Sequence, residues 1–242
     1  EKNVQGLIDT HFHLDMYKNY NEIYKIIVGE KQYTLCMTNS PGVFLSCKNI
    51  FGDNKYIKFA LGFHPLNTDL KEKDLRDFMK MLPQTEYVGE IGLDFTKRTG
   101  IEKNKQIKWF EKIVEACSEK NKVMSIHIRG AEEIALKILS KYCPRRCILH
   151  WYTGNVELQK DFIHLGCYFS VNASMVKNMD VVNAIPKDRL LIESDGPYSK
   201  VNGKKFSPSL LLEEYELIAK SLDEPELIRV VFNNFKNLLL TK

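Results

Sequence analysis

The chain has 242 residues, 44% of them hydrophobic and 27% charged, with a formal net charge of +4. That length and apolar content support one large domain over residues 1–242 and exclude a low-complexity or disordered chain. With 35 basic residues against 31 acidic ones, charge alone does not identify a nucleic-acid binder. No run approaches the roughly 18 consecutive apolar residues of a membrane helix, and the first residues lack a charged-then-apolar leader. The expectation is a cytoplasmic protein with no membrane partner. The six cysteines show no Cys-x-x-Cys spacing and are expected as buried or free thiols.

The first apolar run, 6–9, stops at Asp9-Thr10-His11-Phe12-His13. In an extended chain His11 and His13 point to the same side, so two imidazoles share one face, a common way to hold a transition metal. Further apolar, β-branched runs follow at 33–37, 57–62, 87–91, 122–127, 146–150, 167–171 and 190–193. Helical patterns lie between most of them, at 20–30, 70–82, 102–120, 131–142 and 155–165, and two more close the chain at 208–221 and 225–239. Within 102–120, Ile107, Phe110, Ile113, Val114 and Cys117 recur at three- and four-residue intervals, as one buried helical face requires. The second and seventh units are weakest, because 41–50 and 174–185 offer only short or irregular helices. Eight strand-then-helix units predict an α/β fold, a (β/α)8 TIM-type barrel; a doubly wound open sheet is the alternative.

In such a barrel the active site lies where the strands end and their loops begin. Those ends carry His11 and His13, His64, Glu90 and Asp94, His127 and Arg129, His150, and Glu193 and Asp195. Only His164, inside a predicted helix, stays apart. Four imidazoles with Glu90 and Asp195 exceed what one metal with an open position takes, so two divalent metals sharing Glu90 as a bridge are expected. Such a pair polarises a phosphoryl oxygen and activates a water. Arg129 can offer a bidentate fork to a phosphate. His64 is expected to contact substrate phosphate or to cap the loop stiffened by Pro65. Glu193 either orients a ligand or binds substrate, and Asp94 supports the ligands or fixes its loop. Trp151 and Tyr152 can stack on a base or pack beneath a loop. Lys97, Arg98, Lys204 and Lys205 are candidate backbone-contacting charges.

These motifs, Ile8 to Asp15, Gly62-Phe63-His64-Pro65, Val88 to Phe95, Ile126-His127-Ile128-Arg129, His150 to Gly154 and Glu193 to Tyr198, together with Asn234, resemble the TatD-like metal-dependent deoxyribonucleases. The resemblance implies His11, His13, Glu90, His127, His150 and Asp195 as ligands of two divalent ions, magnesium or manganese with zinc as an option, and Glu90 and Asp195 as catalytic carboxylates. It implies substrate contacts from His64, Arg129 and Glu193, and DNA as the substrate, cut from the 3′ end. Compact chains of this kind also resemble TatD-like nucleases of bacterial anti-phage operons, which implies protein partners in a multi-gene complex. The chain departs from the family pattern at Phe12, Ile128, Tyr152-Thr153 and 205–208. These changes bear on substrate preference and leave the proposed ligands intact. Two further functions fit the same residues: an amidohydrolase or esterase acting on a small molecule or aminoacyl ester, and a partner-dependent subunit of a larger complex.

Overall fold

The computed structural model describes residues 6–96 and 100–242. In chain order its elements are β1 (Ile8–Phe12), α1 (Tyr20–Gly29), β2 (Tyr33–Cys36), α2 (Pro41–Phe51), β3 (Ile57–Phe59), β4 (Leu61–Phe63), α3 (Glu72–Met81), β5 (Tyr87–Asp94), α4 (Lys103–Glu119), β6 (Val123–Arg129), α5 (Glu132–Tyr142), β7 (Cys147–His150), α6 (Val156–His164), β8 (Tyr168–Val171), α7 (Met179–Asn183) and β9 (Leu190–Ile192). A small hairpin, β10 (Lys200–Val201) with β11 (Lys204–Lys205), then leads to α8 (Leu211–Leu222) and α9 (Leu227–Leu240). β1, β2 and β3 pair in parallel, and β4 through β9 form a second parallel run in sequence order.

Two junctions turn these runs into a barrel. The first lies between β3 and β4, which are one barrel strand interrupted at Ala60. The Ala60 N–H still donates to Cys36 O at 2.8 Å. Thr38 fills the break: its hydroxyl donates to Ala60 O (2.8 Å) and accepts from Gly62 N (3.0 Å), while its backbone pairs with Gly89 O and Glu90 N, both at 3.1 Å. Gly62 is obligatory there, since a Cβ would lie 1.6 Å from Thr38 O. The second junction joins β9 to β1. Thr10 Oγ1 donates to Ile192 O (3.0 Å), Asp195 N to His11 O (2.8 Å) and His13 N to Gly196 O (2.9 Å). The fold is therefore a (β/α)8 barrel, as the eight-unit pattern predicts.

Near-continuous apolar strands fit a sheet covered on both sides: β1 is buried along its whole length, and the largest fully buried side chains include Trp109, Phe110, Phe162 and Phe169. The helix that closes the chain presents Leu227, Val231 and Leu238 to this core, and its Asn234 amide donates to Lys187 O (2.7 Å) and Leu190 O (2.8 Å), which fastens it beneath β9.

Several local expectations are corrected. The second unit holds a full helix, because Ser40 caps it by accepting from Val43 N (3.2 Å) and Pro41 occupies its first turn, where a missing N–H is harmless. The seventh unit is short as expected, a 3-10 turn over Ala173–Lys177 followed by α7. On α4 the buried face includes Gln106 and Trp109, while Ile107 is half-buried. β5 and β6 run further than the apolar pattern reached, to Asp94 and Arg129. Among the described residues no cysteine is in a disulfide, and all but Cys143 are buried. Lys204 and Lys205 lie exposed in the hairpin, and Lys97 and Arg98 fall outside the described residues. No helix is long and apolar enough to cross a membrane.

Candidate metal centre

The C-terminal ends of the strands bring His11, His13, His64, Glu90, His127, His150 and Asp195 to one rim around a cavity of about 650 Å³. Glu90 stands at its centre, on β5, with each oxygen facing a different group of imidazoles. Its Oε2 lies 3.5 Å from His11 Nε2 and 3.2 Å from His13 Nε2. The same two nitrogens lie 3.6 and 3.4 Å from Asp195 Oδ1. On the other side, Glu90 Oε1 is 2.9 Å from His127 Nδ1, 3.4 Å from His150 Nε2 and 3.2 Å from His64 Nε2. The rings are packed together, those of His11 and His150 stacking with centroids 3.6 Å apart.

What binds the far side of each ring decides what the near side can offer. His127 Nε2 donates to Asp94 Oδ2 at 2.9 Å, and His150 Nδ1 donates to both oxygens of Glu193, at 3.0 and 2.9 Å. A ring whose proton is held by a carboxylate turns a lone pair to its other nitrogen. His127 Nδ1 and His150 Nε2 thus face Glu90 as potential ligands. His11 Nδ1 shares a 2.7 Å hydrogen bond with Ser125 Oγ, and its Nε2 is buried with no hydrogen-bond partner among the described residues. An orphaned, buried imidazole nitrogen beside two carboxylates is the signature of a missing cation. His64 is wired the opposite way. Its Nδ1 accepts the Leu66 N–H (3.1 Å), which leaves the ring proton on Nε2, the atom that faces the cavity. Four imidazoles can therefore supply lone pairs, and His64 supplies a donor.

The electrostatics follow from this crowding. Burial would raise the Glu90 carboxyl, but the His64, His11, His127 and His13 imidazoles outweigh it and hold Glu90 well below the usual carboxylate range. Burial would lower His13, yet its contacts with Asp195 and Glu90 carry it to about 10. His150 is also raised well above its ordinary value, against burial, by Glu193 and Glu90. Asp195 is held low, against burial, by His13, His150 and His11. Asp9 is pushed up to about 7, mainly by burial, while it accepts from the backbone of His11 (3.2 Å) and of Ser194 (2.9 Å). It ties the ends of β1 and β9 together just under the cluster.

Two of the sequence expectations change here. Glu193 is fully buried; besides His150 it is bound by the Ser170 hydroxyl and by Asn172 Nδ2 (2.9 Å), so it orients His150 and does not reach substrate. Tyr152 is buried against Phe162 and Phe169, with its hydroxyl on Asn155 O (2.9 Å), so it does not stack on a base. Arg129 and Trp151 line the cavity as expected. Asp94 does both things foreseen for it, since its Oδ1 also accepts from Thr96 N (2.9 Å) and Thr96 Oγ1 (2.6 Å). Sequence reasoning missed Ser125 and Gln106. Ser125 is the polar residue two positions before His127 in an otherwise apolar strand, a period-two signal that was there to be used. Gln106 secures the end of β5 by accepting from Asp94 N (2.9 Å) and donating to Asp94 O (3.0 Å), and nothing local in its helix announces this.

Comparison with known proteins places this geometry in context. The metal-dependent hydrolase YcfH of Escherichia coli is 28% identical over 96% of this chain and 95% of its own. The human 3'-5' RNA nuclease TATDN2 is 26% identical over 91% of this chain, which corresponds to 33% of that protein. The crystal structure of YJJV, a TatD homologue from Escherichia coli, superposes with a TM-score of 0.85 over 96% of this chain and 97% of that one, at 20% identity. The TatD related DNase family matches residues 8–240, and the chain belongs to it, as a metal-dependent hydrolase.

Proposed function

We propose that the protein is a two-metal phosphodiesterase that shortens DNA from its 3′ end. The observation that carries this reading is Glu90, whose two oxygens each face a separate set of imidazole nitrogens inside one cavity. His11, His13 and Asp195 with Glu90 Oε2 would hold one divalent cation, and His127 and His150 with Glu90 Oε1 the other. Magnesium or manganese is expected, and the imidazole-rich donor set also suits zinc. Cations bound there supply charge to polarise a phosphoryl oxygen and to lower the pKa of a water. The chain's own groups do the rest. Glu90 keeps the two donor sets in register. Arg129 forks onto the phosphate, the His64 Nε2–H donates to a phosphoryl oxygen, and Asp195 takes the proton of the attacking water.

The test is cleavage of end-labelled single- and double-stranded DNA with magnesium, manganese, zinc or EDTA. Laddering from the 3′ end that EDTA abolishes is the expected result. Hydrolysis of an amide or carboxylic ester without any DNA cleavage would select the amidohydrolase reading instead. RNA belongs in the same assay, because the relative TATDN2 is named for it.

The ring wiring separates ligands from donors in a second experiment. His64→Ala is expected to keep the metal content of the wild type and to lose about 10- to 100-fold in kcat/KM, the worth of one hydrogen bond to a charged group. Loss of bound metal on elemental analysis would show that His64 is a ligand after all.

Protonation gives a third expected result. At pH 7 the cation-free His13, held at about 10, carries a proton that an incoming cation must displace. Raising the pH toward 10 removes that competition, so affinity rises with pH and binding releases protons. Calorimetric titration in two buffers of different ionisation enthalpy measures the release. An affinity flat in pH would take His13 out of the donor set.

A further inference from the structure

The cavity has two unlike sides. Beyond the imidazole cluster, the loops after β6 and β7 contribute Arg129 and Trp151, a side suited to phosphate. The loops after β1, β2 and β4 contribute an apolar wall of Met16, Val43 and Leu66, interrupted by Asp15 and Asn39. Both of these polar residues line the cavity, and each keeps one buried side-chain oxygen, Asp15 Oδ1 and Asn39 Oδ1, with no hydrogen-bond partner among the described residues. A buried acceptor left unpaired costs about 1–3 kcal/mol, so two on one wall point to a ligand that brings donors. The loop beneath is already braced for that purpose. Asn67 Nδ2 donates to Asn39 O (3.3 Å), and Asn67 Oδ1 accepts from Asp69 N (3.2 Å). The Asn67 amide is thus committed to holding Asn39, and the Asn39 side chain is left facing the cavity.

Resting on the phosphodiesterase reading, we propose that this wall seats the terminal nucleoside of the strand being cut, and that Asn39 and Asp15 receive its free hydroxyl and reject a terminal phosphate. The volume of about 650 Å³ lies within the range of roughly 300–1,000 Å³ for small-ligand sites, which suits one nucleotide beside the cluster and not a long stretch of polymer. The apolar side chains cover the sugar and base faces. A hydroxyl brings the donor that two orphaned acceptors lack. A phosphate at neutral pH brings oxygens and negative charge toward an aspartate, which is unfavourable twice over. The compartment therefore makes the enzyme a reader of the chemical state of the strand end.

The experiment compares one 5′-labelled DNA oligonucleotide ending in a 3′-hydroxyl with the same strand ending in a 3′-phosphate, for the wild type, Asp15→Asn and Asn39→Ala. The wild type is expected to shorten the hydroxyl end at least about tenfold faster. Asp15→Asn is expected to speed removal at the phosphate end and narrow the ratio to roughly threefold or less; a gain of rate cannot come from misfolding. Asn39→Ala is expected to slow the hydroxyl end by about tenfold and the phosphate end by much less. Equal wild-type rates at both ends, or a ratio that neither variant moves, overturns the proposal. Bis(p-nitrophenyl) phosphate is run alongside to separate the two failures. Its hydrolysis with no end preference leaves the phosphodiesterase reading standing and removes only the compartment. No hydrolysis of any phosphodiester removes both.

Discussion

Glu90→Gln is expected to lower DNA hydrolysis by roughly 10³-fold or more, since a single well-placed electrostatic group is worth about 10²–10³ and this one serves both donor sets. The substitution keeps the shape of the side chain and takes away its charge. Glu90 is nearly fully buried, and its charge is supported only by the imidazoles around it. The amide can place one oxygen toward one set, and its NH2 must then face nitrogens that offer lone pairs. Elemental analysis should show at most one cation per chain where the wild type holds two. Thermal unfolding of the metal-free variant should stay close to that of the metal-free wild type, because the lost partners are groups that a cation would otherwise satisfy. A Glu90→Gln protein that keeps both cations and more than a tenth of the activity would sink the bridging role.

Gly92→Ala is expected to be the most damaging single-methyl change near the site. Gly92 pairs with His127 across β5 and β6, at a φ of +147°, and a Cβ on it would lie 1.8 Å from His127 O. Neither the backbone conformation nor the space admits a side chain. The two strands have to part where Glu90 and His127 face each other 2.9 Å apart. Destabilisation on the order of 3 kcal/mol is expected, at the upper end for overpacking, which for a chain of this size lowers the melting midpoint by roughly 6–12 °C. Activity should fall with it even at temperatures where the variant is folded, because the distance between the Glu90 and His127 donors changes. A midpoint within about 2 °C of the wild type would mean that the strands yield easily, and that the glycine is not what sets their spacing.

Much of the fold and of the site could be read before the structure. The apolar runs ending in His, Glu or Asp were legible because a strand buried on both faces is apolar until it leaves the barrel, and the first polar residues after it belong to the rim. That logic found His11, His13, Glu90, His127, His150 and Asp195, which the structure brings together. It failed where the deciding contact is made by a distant residue. The split at Ala60 depends on Thr38, and the end of β5 depends on Gln106 in the following helix. Glu193 shares its strand end with Asp195 and carries the same chemistry, and only the positions of Ser170, Asn172 and His150 show that it faces inward. The missed second helix had a local signal after all, a serine cap followed by proline at the first turn.

The seam between β9 and β1 has a consequence for how the protein comes into being. Asp195 N reaches His11 O, Gly196 O receives His13 N, and Asp9 holds the Ser194 backbone, so the hydrogen bonds that shut the cylinder are made by the donor residues and their immediate neighbours. A chain emerging from the ribosome displays His11 and His13 early, but their carboxylate partner comes some 180 residues later in the sequence. Until the last strand has been made and docked, one half of the cluster does not exist. Hydrolytic capacity is thereby tied to completion of synthesis, and a prematurely terminated product is harmless to the nucleic acid around it.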